Sequence, residues 1–255
     1  MSNLYPEATV FNSEVRRLTS SVTGQTYQIS VWFPPSYADS DKSYPVLYLL
    51  DSNTLFGAAA NLAMLLSWGG ELPETIIVGI GYEIRSYDDW GTLRSHDMTP
   101  TTVEDIPGSG GAAQFLHFLH AELIPFIDSS YRTNPADRSI TGHSFGGLFV
   151  LYALLHRPNL FQRYCAGSPI PDYDDRLLFE FEEEFALRNS ALPVSLAVVV
   201  GTLEGPNAAS TQEFCANLSA RDYEGLKLTF LLLEDETHLS VIAPLMVKGW
   251  KAIYA

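Results

Sequence analysis

A chain of 255 residues is long enough to bury one sizeable hydrophobic core, and 46% hydrophobic with 18% charged residues is an ordinary globular composition. A net charge of −15 at pH 7 makes a surface that repels polyanions, which excludes nucleic acid and anionic membranes as expected partners. No run approaches the ~18 continuous apolar residues of a membrane span. Met1 to Glu7 has neither the basic nor the apolar region of a signal peptide. The two cysteines, Cys165 and Cys215, fit no metal or redox spacing. The expectation is a cytoplasmic protein with free thiols, no metal and no cofactor.

In chain order, Glu14–Ser20 and Tyr27–Phe33 predict two strands joined by a hairpin turn at Thr23-Gly24-Gln25, with Pro34-Pro35 ending the second. Tyr44–Leu50 and Thr75–Gly81 are continuous apolar runs of the kind a parallel sheet buries on both faces. Thr54–Trp68 between them reads as a helix. Residues 82–110 lack periodicity and predict a long irregular segment, which in a compact domain is usually functional. Ala112–Ser130 predicts a helix that Pro125 kinks or restarts. Further strands are expected at Arg138–Thr141, Arg163–Gly167, Ser195–Gly201 and Leu226–Leu233. Helices are expected after the first of these, at 172–188 with Phe179, Phe181 and Phe185 as anchors, at Ala208–Asp222, and at Leu239–Tyr254 with a break near Pro244. Strands alternating with helices predict an α/β fold, a mostly parallel sheet covered on both faces, led in by an antiparallel hairpin. One domain over 1–255 accounts for the length, with 82–110 and 170–192 as inserts that shape a pocket and could act as a lid.

The most informative local signal is Gly142-His143-Ser144-Phe145-Gly146, set between the run ending at Thr141 and the apolar helix-length run Gly147–His156. A Gly-x-Ser-x-Gly between strand and helix is the nucleophile elbow of α/β-hydrolases. The serine sits in a strained backbone conformation, and side chains two residues either side are expected to collide there, hence the glycines. The helix N-terminus behind it favours developing negative charge.

A serine hydroxyl needs a base. In this fold the chain order is Ser, acid, His, and His238 is the histidine that follows the elbow just past the last strand. For the acid, Glu204 after Ser195–Gly201 is the best placed carboxylate; Asp172, Asp174 and Asp175 are rivals, Asp235 and Glu236 are near in sequence, and a Ser–His dyad is open. The oxyanion hole needs two N–H donors. One is expected from the backbone of Phe145, the other from Ser52 or Asn53 in the loop after Tyr44–Leu50. His117 and His120, three apart beside Glu122, read as helix-surface residues rather than a metal pair.

Glu122-Leu123-Ile124-Pro125-Phe126-Ile127-Asp128, Tyr131-Arg132-Thr133 and Gly142-His143-Ser144-Phe145-Gly146-Gly147-Leu148 together resemble the putative esterase family of α/β-hydrolases. That family includes siderophore (enterobactin-type) esterases, S-formylglutathione hydrolases of the esterase D type, feruloyl esterases and mycolyltransferases. The siderophore-esterase-like branch is the most similar, on Tyr44-Pro45-Val46-Leu47-Tyr48-Leu49-Leu50-Asp51, Arg94-x-x-Asp97-x-Thr99-Pro100 and Glu236-Thr237-His238. The resemblance runs from about Tyr27 to the end. It implies a metal-independent serine hydrolase of carboxylic esters with Ser144 and His238 in the catalytic positions, acting on small-molecule esters, siderophore-type or other. Acyl transfer and a noncatalytic binding role are the alternatives. Two features depart from the family. Ser168-Pro169-Ile170-Pro171-Asp172-Tyr173 stands where the family often has Ser-Pro-Ser followed by tryptophans. And only Arg85, Arg94 and Arg176 are candidates to receive an anionic ferric siderophore; they read equally as structural ion pairs.

Overall fold

The computed structural model describes residues 9–84 and 86–255. Eight strands form one sheet in the order β1-β2-β4-β3-β5-β6-β7-β8. The first two, β1 (Ser13–Thr19) and β2 (Thr26–Trp32), make the expected antiparallel hairpin. Its turn closes through Ser20 N–H to the Gln25 carbonyl at 2.8 Å, with Gly24 at φ 72°. β2 then lies antiparallel on β4 (Ile76–Tyr82). From β4 onward every pairing is parallel: β3 (Tyr44–Leu49), β5 (Thr133–His143), β6 (Arg163–Gly167), β7 (Ser195–Gly201) and β8 (Lys227–Leu233).

Strand alternation divides the apolar residues between two cores. Val46, Tyr48 and Leu50 join the larger one, while Leu47 and Leu49 join the smaller. On the smaller face α1 (Ser52–Trp68) packs with the C-terminal helical segment, where Trp250 and Ile253 are buried. On the larger face lies α5 (Phe145–His156), ten of whose twelve residues are buried. A helix apolar on every side, as this one is, can only be central.

Three expectations change. Residues 82–110 contain a regular helix, α2 (Tyr87–Met98), capped by the Ser86 hydroxyl accepting from Asp89 N–H at 3.1 Å. Its inward face mixes Trp90, Leu93 and Met98 with the polar Arg94 and Asp97, which interrupts the apolar period. Asp97, 1% exposed, accepts from the Tyr27 hydroxyl at 2.8 Å and pairs with the His96 ring at 2.8 Å. The 112–130 helix is two pieces, α3 (Ala112–Phe118) and α4 (Ile124–Ser130), joined by a widened π-turn at Leu119–Leu123. Pro125 is the second residue of α4, directly after that turn, where it offers no N–H to the preceding helical turn. In α6 (Tyr173–Ala186) the first turn is left-handed at Asp174, Asp175 and Arg176, so the helix proper starts after them. The remaining helices are α7 (Pro206–Ala220), a short α8 (Ile242–Pro244) and α9 (Trp250–Tyr254), the last two flanking another π-turn just after Pro244.

The elbow conforms to its motif in one respect and departs in another. Ser144 has φ 61° and ψ −121°, a conformation a non-glycine residue adopts only under constraint. Gly142 is demanded by space, since a Cβ there would lie 2.5 Å from the Gly146 carbonyl oxygen. Gly147 is likewise demanded, at 2.4 Å from the Gly167 carbonyl oxygen. At Gly146, however, a Cβ would meet its nearest neighbour, Asp51 Oδ2, at 3.4 Å, an ordinary contact. Gly142→Ala and Gly147→Ala should therefore each lower stability by about 1–3 kcal/mol. Gly146→Ala should be near neutral, because alanine's helix propensity compensates any small clash. Urea unfolding midpoints of the three variants check this ordering.

Candidate active site

The carboxyl ends of β3, β5, β7 and β8 converge on a cleft of about 310 Å³. Ser144, His143 and His238 line it together with Asp51, Trp90 and Arg94; Leu239 and Ile242 supply an apolar side. Ser144 stands at the N-terminus of α5, its N–H bonded to the Gly167 carbonyl at 2.9 Å and its carbonyl accepting from Leu148 at 2.9 Å. The Phe145 amide, next in the chain, is one of those an α-helix leaves without an intrahelical partner.

His238 sits in the turn that follows β8. Its Nδ1 faces Glu204 Oε2 at 2.8 Å. Glu204 is 2% exposed and receives three further donors. The Ser168 hydroxyl at 2.6 Å and Gly201 N–H at 2.9 Å reach Oε1, and the Asn207 amide reaches Oε2 at 3.1 Å. Burial by itself would raise the carboxyl's pKa. The hydrogen bonds from His238, Ser168, Gly201 and Asn207 outweigh it and hold the pKa at about 2. An ionised Glu204 requires the proton on Nδ1, which leaves Nε2 as the free acceptor of the imidazole. The His238 turn is tied to the Glu204 turn through the backbone as well. Leu203 N–H donates to the Glu236 carbonyl at 3.0 Å, and Gly201 lies so near that a Cβ would sit 2.1 Å from that same oxygen.

Three of the rival acids have carboxylates engaged elsewhere. Asp172 pairs with Arg176 at 3.3 Å, Asp174 accepts from the Thr101 hydroxyl, and Glu236 accepts from the Ser240 hydroxyl. Asp235 is fastened through its backbone N–H to the Thr202 hydroxyl at 3.0 Å.

The Asn53 side chain is clasped to the backbone of Tyr82. Its Nδ2 donates to the Tyr82 carbonyl at 2.9 Å and its Oδ1 accepts from Tyr82 N–H at 2.8 Å. The backbone amides nearby are open. Ser52 and Asn53 form the first turn of α1, whose N–H groups a helix cannot satisfy internally. The residue before them, Asp51, is left-handed at φ 56° and 4% exposed. Its carboxylate takes a two-pronged bond from Arg94, 2.8 Å on each oxygen, and Arg94 also donates to the His143 carbonyl at 3.3 Å. This latch joins the end of β3, α2 and the elbow. Sequence spacing gave no sign of it, the partners being 43 residues apart.

Arg94 is thus neutralised within the cleft wall, and Arg176 pairs with Asp172 and Glu213. Arg85 lies outside the described residues. Of the two inserts, 82–110 contributes Trp90 and Arg94 to the cleft. Residues 170–192 back the elbow through Tyr173, whose ring meets Phe145 edge-on at 6.3 Å and whose hydroxyl donates to the Thr101 carbonyl at 2.6 Å. Among the described residues no helix is long and apolar enough to cross a membrane.

With this geometry established, comparison with known proteins is informative. Residues 20–217 match the family model described as putative esterase. The ferri-bacillibactin esterase BesA of Bacillus subtilis (strain 168) is 30% identical over 263 residues, 94% of this chain and 89% of that one. A siderophore enterobactin esterase of Emericella nidulans is 34% identical over 190 residues, 66% of this chain and 62% of that one. The BES protein from Bacillus cereus superposes with a TM-score of 0.88 at 27% identity, covering 98% and 99% of the two chains. An IroE-like serine hydrolase from Shewanella oneidensis gives 0.85 at 28% identity, covering 95% and 80%.

The Glu204 cluster predicts a pH signature in stability. A carboxyl held at about 2 when folded and near its ordinary value of 4.5 when unfolded stabilises the fold above pH 4.5. That contribution, on the order of 3 kcal/mol, disappears as pH falls from 4.5 towards 2. Glu204→Gln should be destabilised at pH 7, and its deficit relative to wild type should shrink as pH drops from 5 to 3. Chemical denaturation at both pH values measures it; a constant deficit would contradict the argument.

Proposed function

We propose, for a chain that belongs to the putative esterase family and hydrolyses carboxylic esters, that Ser144 is the nucleophile, His238 the general base and Glu204 the acid that orients it. The observation that carries the assignment is the Glu204–His238 hydrogen bond. It fixes the imidazole tautomer with Nε2 unprotonated, in the same cleft as the one serine on a strand-to-helix elbow.

The reaction then runs by the chemistry of these groups. Ser144 Oγ attacks the ester carbonyl carbon while its proton passes to His238 Nε2. The positive charge that forms on the imidazole faces the Glu204 carboxylate, which needs no proton of its own. The tetrahedral oxyanion is received by the Phe145 amide and by a backbone N–H from the first turn of α1, at Ser52 or Asn53. Collapse expels the alcohol, which takes the proton from His238 and leaves an acyl group on Ser144. Water repeats the sequence: His238 removes its proton, the hydroxide oxygen bonds to the acyl carbon, and the serine leaves with the proton returned.

We assign siderophore-type esters as the substrate class. Support comes from BesA and the enterobactin esterase, whose names give siderophore substrates and whose similarity spans most of this chain. The site of action is the cytoplasm, consistent with two buried cysteines that are both free thiols.

Ser144→Ala and His238→Ala should each lower kcat by about 10⁴-fold or more, and Glu204→Ala by roughly 10⁴-fold. These are read on p-nitrophenyl esters and on iron-free and iron-loaded catecholate ester siderophores, with products separated by chromatography. Full activity in Ser144→Ala overturns the mechanism. Hydrolysis of p-nitrophenyl esters with none of the siderophores overturns only the substrate class. A wild type that turns over no ester and takes up no fluorophosphonate label is the result expected of a binding protein.

A further inference from the structure

The variable residue of the elbow, His143, remains unexplained by this mechanism. It ends β5, its side chain is 5% exposed, and its ring centroid lies 4.6 Å from that of His238 at an interplanar angle of 49°. Its backbone is held in place through the Arg94 bond to its carbonyl. His238 is less constrained. Its side chain is 41% exposed, its neighbour Leu239 is 71% exposed, and its recorded side-chain hydrogen bond is the one from Nδ1 to Glu204. One hydrogen bond fixes the distance to a partner and leaves the ring free to swing about that axis. Nε2 then sweeps an arc, and a displacement of about 1 Å at a reacting atom is enough to cost 10²-fold in rate.

Resting on the triad reading above, we infer that His143 is a positioning residue: its buried ring is the wall that stops this swing and holds His238 Nε2 towards Ser144. Two observations separate a wall from a proton carrier. His143 Nε2 is buried and has no hydrogen-bond partner among the described residues, and the ring's hydrogen-bonding contact is with the backbone of His238, which takes up no proton, rather than with a titratable side chain. And the ring stays neutral at working pH, its pKa lowered to about 4 chiefly by burial, then by the neighbouring His238 and Arg94, against the opposing pull of Glu204 and of a hydrogen bond to the His238 backbone. A neutral wall lets the imidazolium form on His238 facing only the Glu204 carboxylate, since the Arg94 charge is held by Asp51.

The test compares His143→Ala and His143→Phe with wild type and Ser144→Ala. Fluorophosphonate labelling to completion counts competent sites, and p-nitrophenyl butyrate turnover is expressed per labelled site. The alanine variant should label fully yet show a kcat per site lower by roughly 10- to 100-fold, with KM within about two-fold. The phenylalanine variant, which restores the ring and removes both nitrogens, should return to within about five-fold of wild type. Its kcat–pH profile should overlay that of wild type around neutrality. Wild-type turnover per site in the alanine variant overturns the inference, including the case where only the number of competent sites falls. A phenylalanine variant as slow as the alanine one also overturns it, because a nitrogen is then required. Turnover by Ser144→Ala instead brings down the triad reading itself.

Discussion

One carboxylate gathers the working end of the sheet. Glu204 accepts from Ser168 just past β6, from Gly201 at the end of β7, from Asn207 in α7 and from His238 past β8. Three consecutive parallel strands and a helix are thus referred to a single buried charge. A buried anion is tolerated only when its lone pairs are filled, and here every donor that fills them belongs to an element the site needs. The requirement to satisfy Glu204 and the requirement to place His238 are one requirement. The close approach at Gly201, where no side chain fits against the Glu236 carbonyl, serves the same end by letting the two turns touch.

On the other side of the serine, the Asp51–Arg94 pair performs a comparable service with opposite economy. Asp51 is 4% exposed, and the Arg94 side chain is 12% exposed, its guanidinium lying 5.0 Å from the Trp90 ring and 5.4 Å from the Phe145 ring. The pair contributes no net charge to the cleft. What it contributes is geometry: it ties the left-handed turn after β3 to the elbow and brings helix α2 in as a wall of the cleft.

The sheet was legible in the sequence because its signals are local. Apolar runs of strand length, a Thr-Gly hairpin turn and a serine elbow between strand and helix each lie within a dozen residues. Glu204 could be singled out as a candidate for a topological reason, since the fold's chain order points to the turn after β7. What favours it over Asp172 or Asp174 is a set of contacts across more than 30 residues, such as the Ser168 bond, which no spacing reveals. Helix α2 was hidden because periodicity detects apolar faces, and its inward Trp90, Leu93 and Met98 are interspersed with Arg94 and Asp97, buried as partners of Asp51 and Tyr27. The collision expected at Gly146 was misjudged because motif glycines serve different neighbours: Gly142 and Gly147 yield to backbone carbonyls, while Gly146 has ordinary room. The oxyanion donors left no signature since backbone amides are common to every residue, and the Asn53 side chain proved to be a clasp on Tyr82.

The proposed base hangs from β8, the last strand of the sheet and an edge with pairing on one side alone. Edges fray before centres do, because half their backbone is open to water. Ser144, by contrast, lies between β5 and the almost wholly buried α5. The proposed nucleophile therefore belongs to the part of the molecule that opens last and the proposed base to a part that opens first. Such a division makes the enzyme's competence a local property of its carboxyl-terminal margin. A chain still emerging from the ribosome, or one nicked after α7, can own a finished elbow and still be chemically silent until β8 zips onto β7.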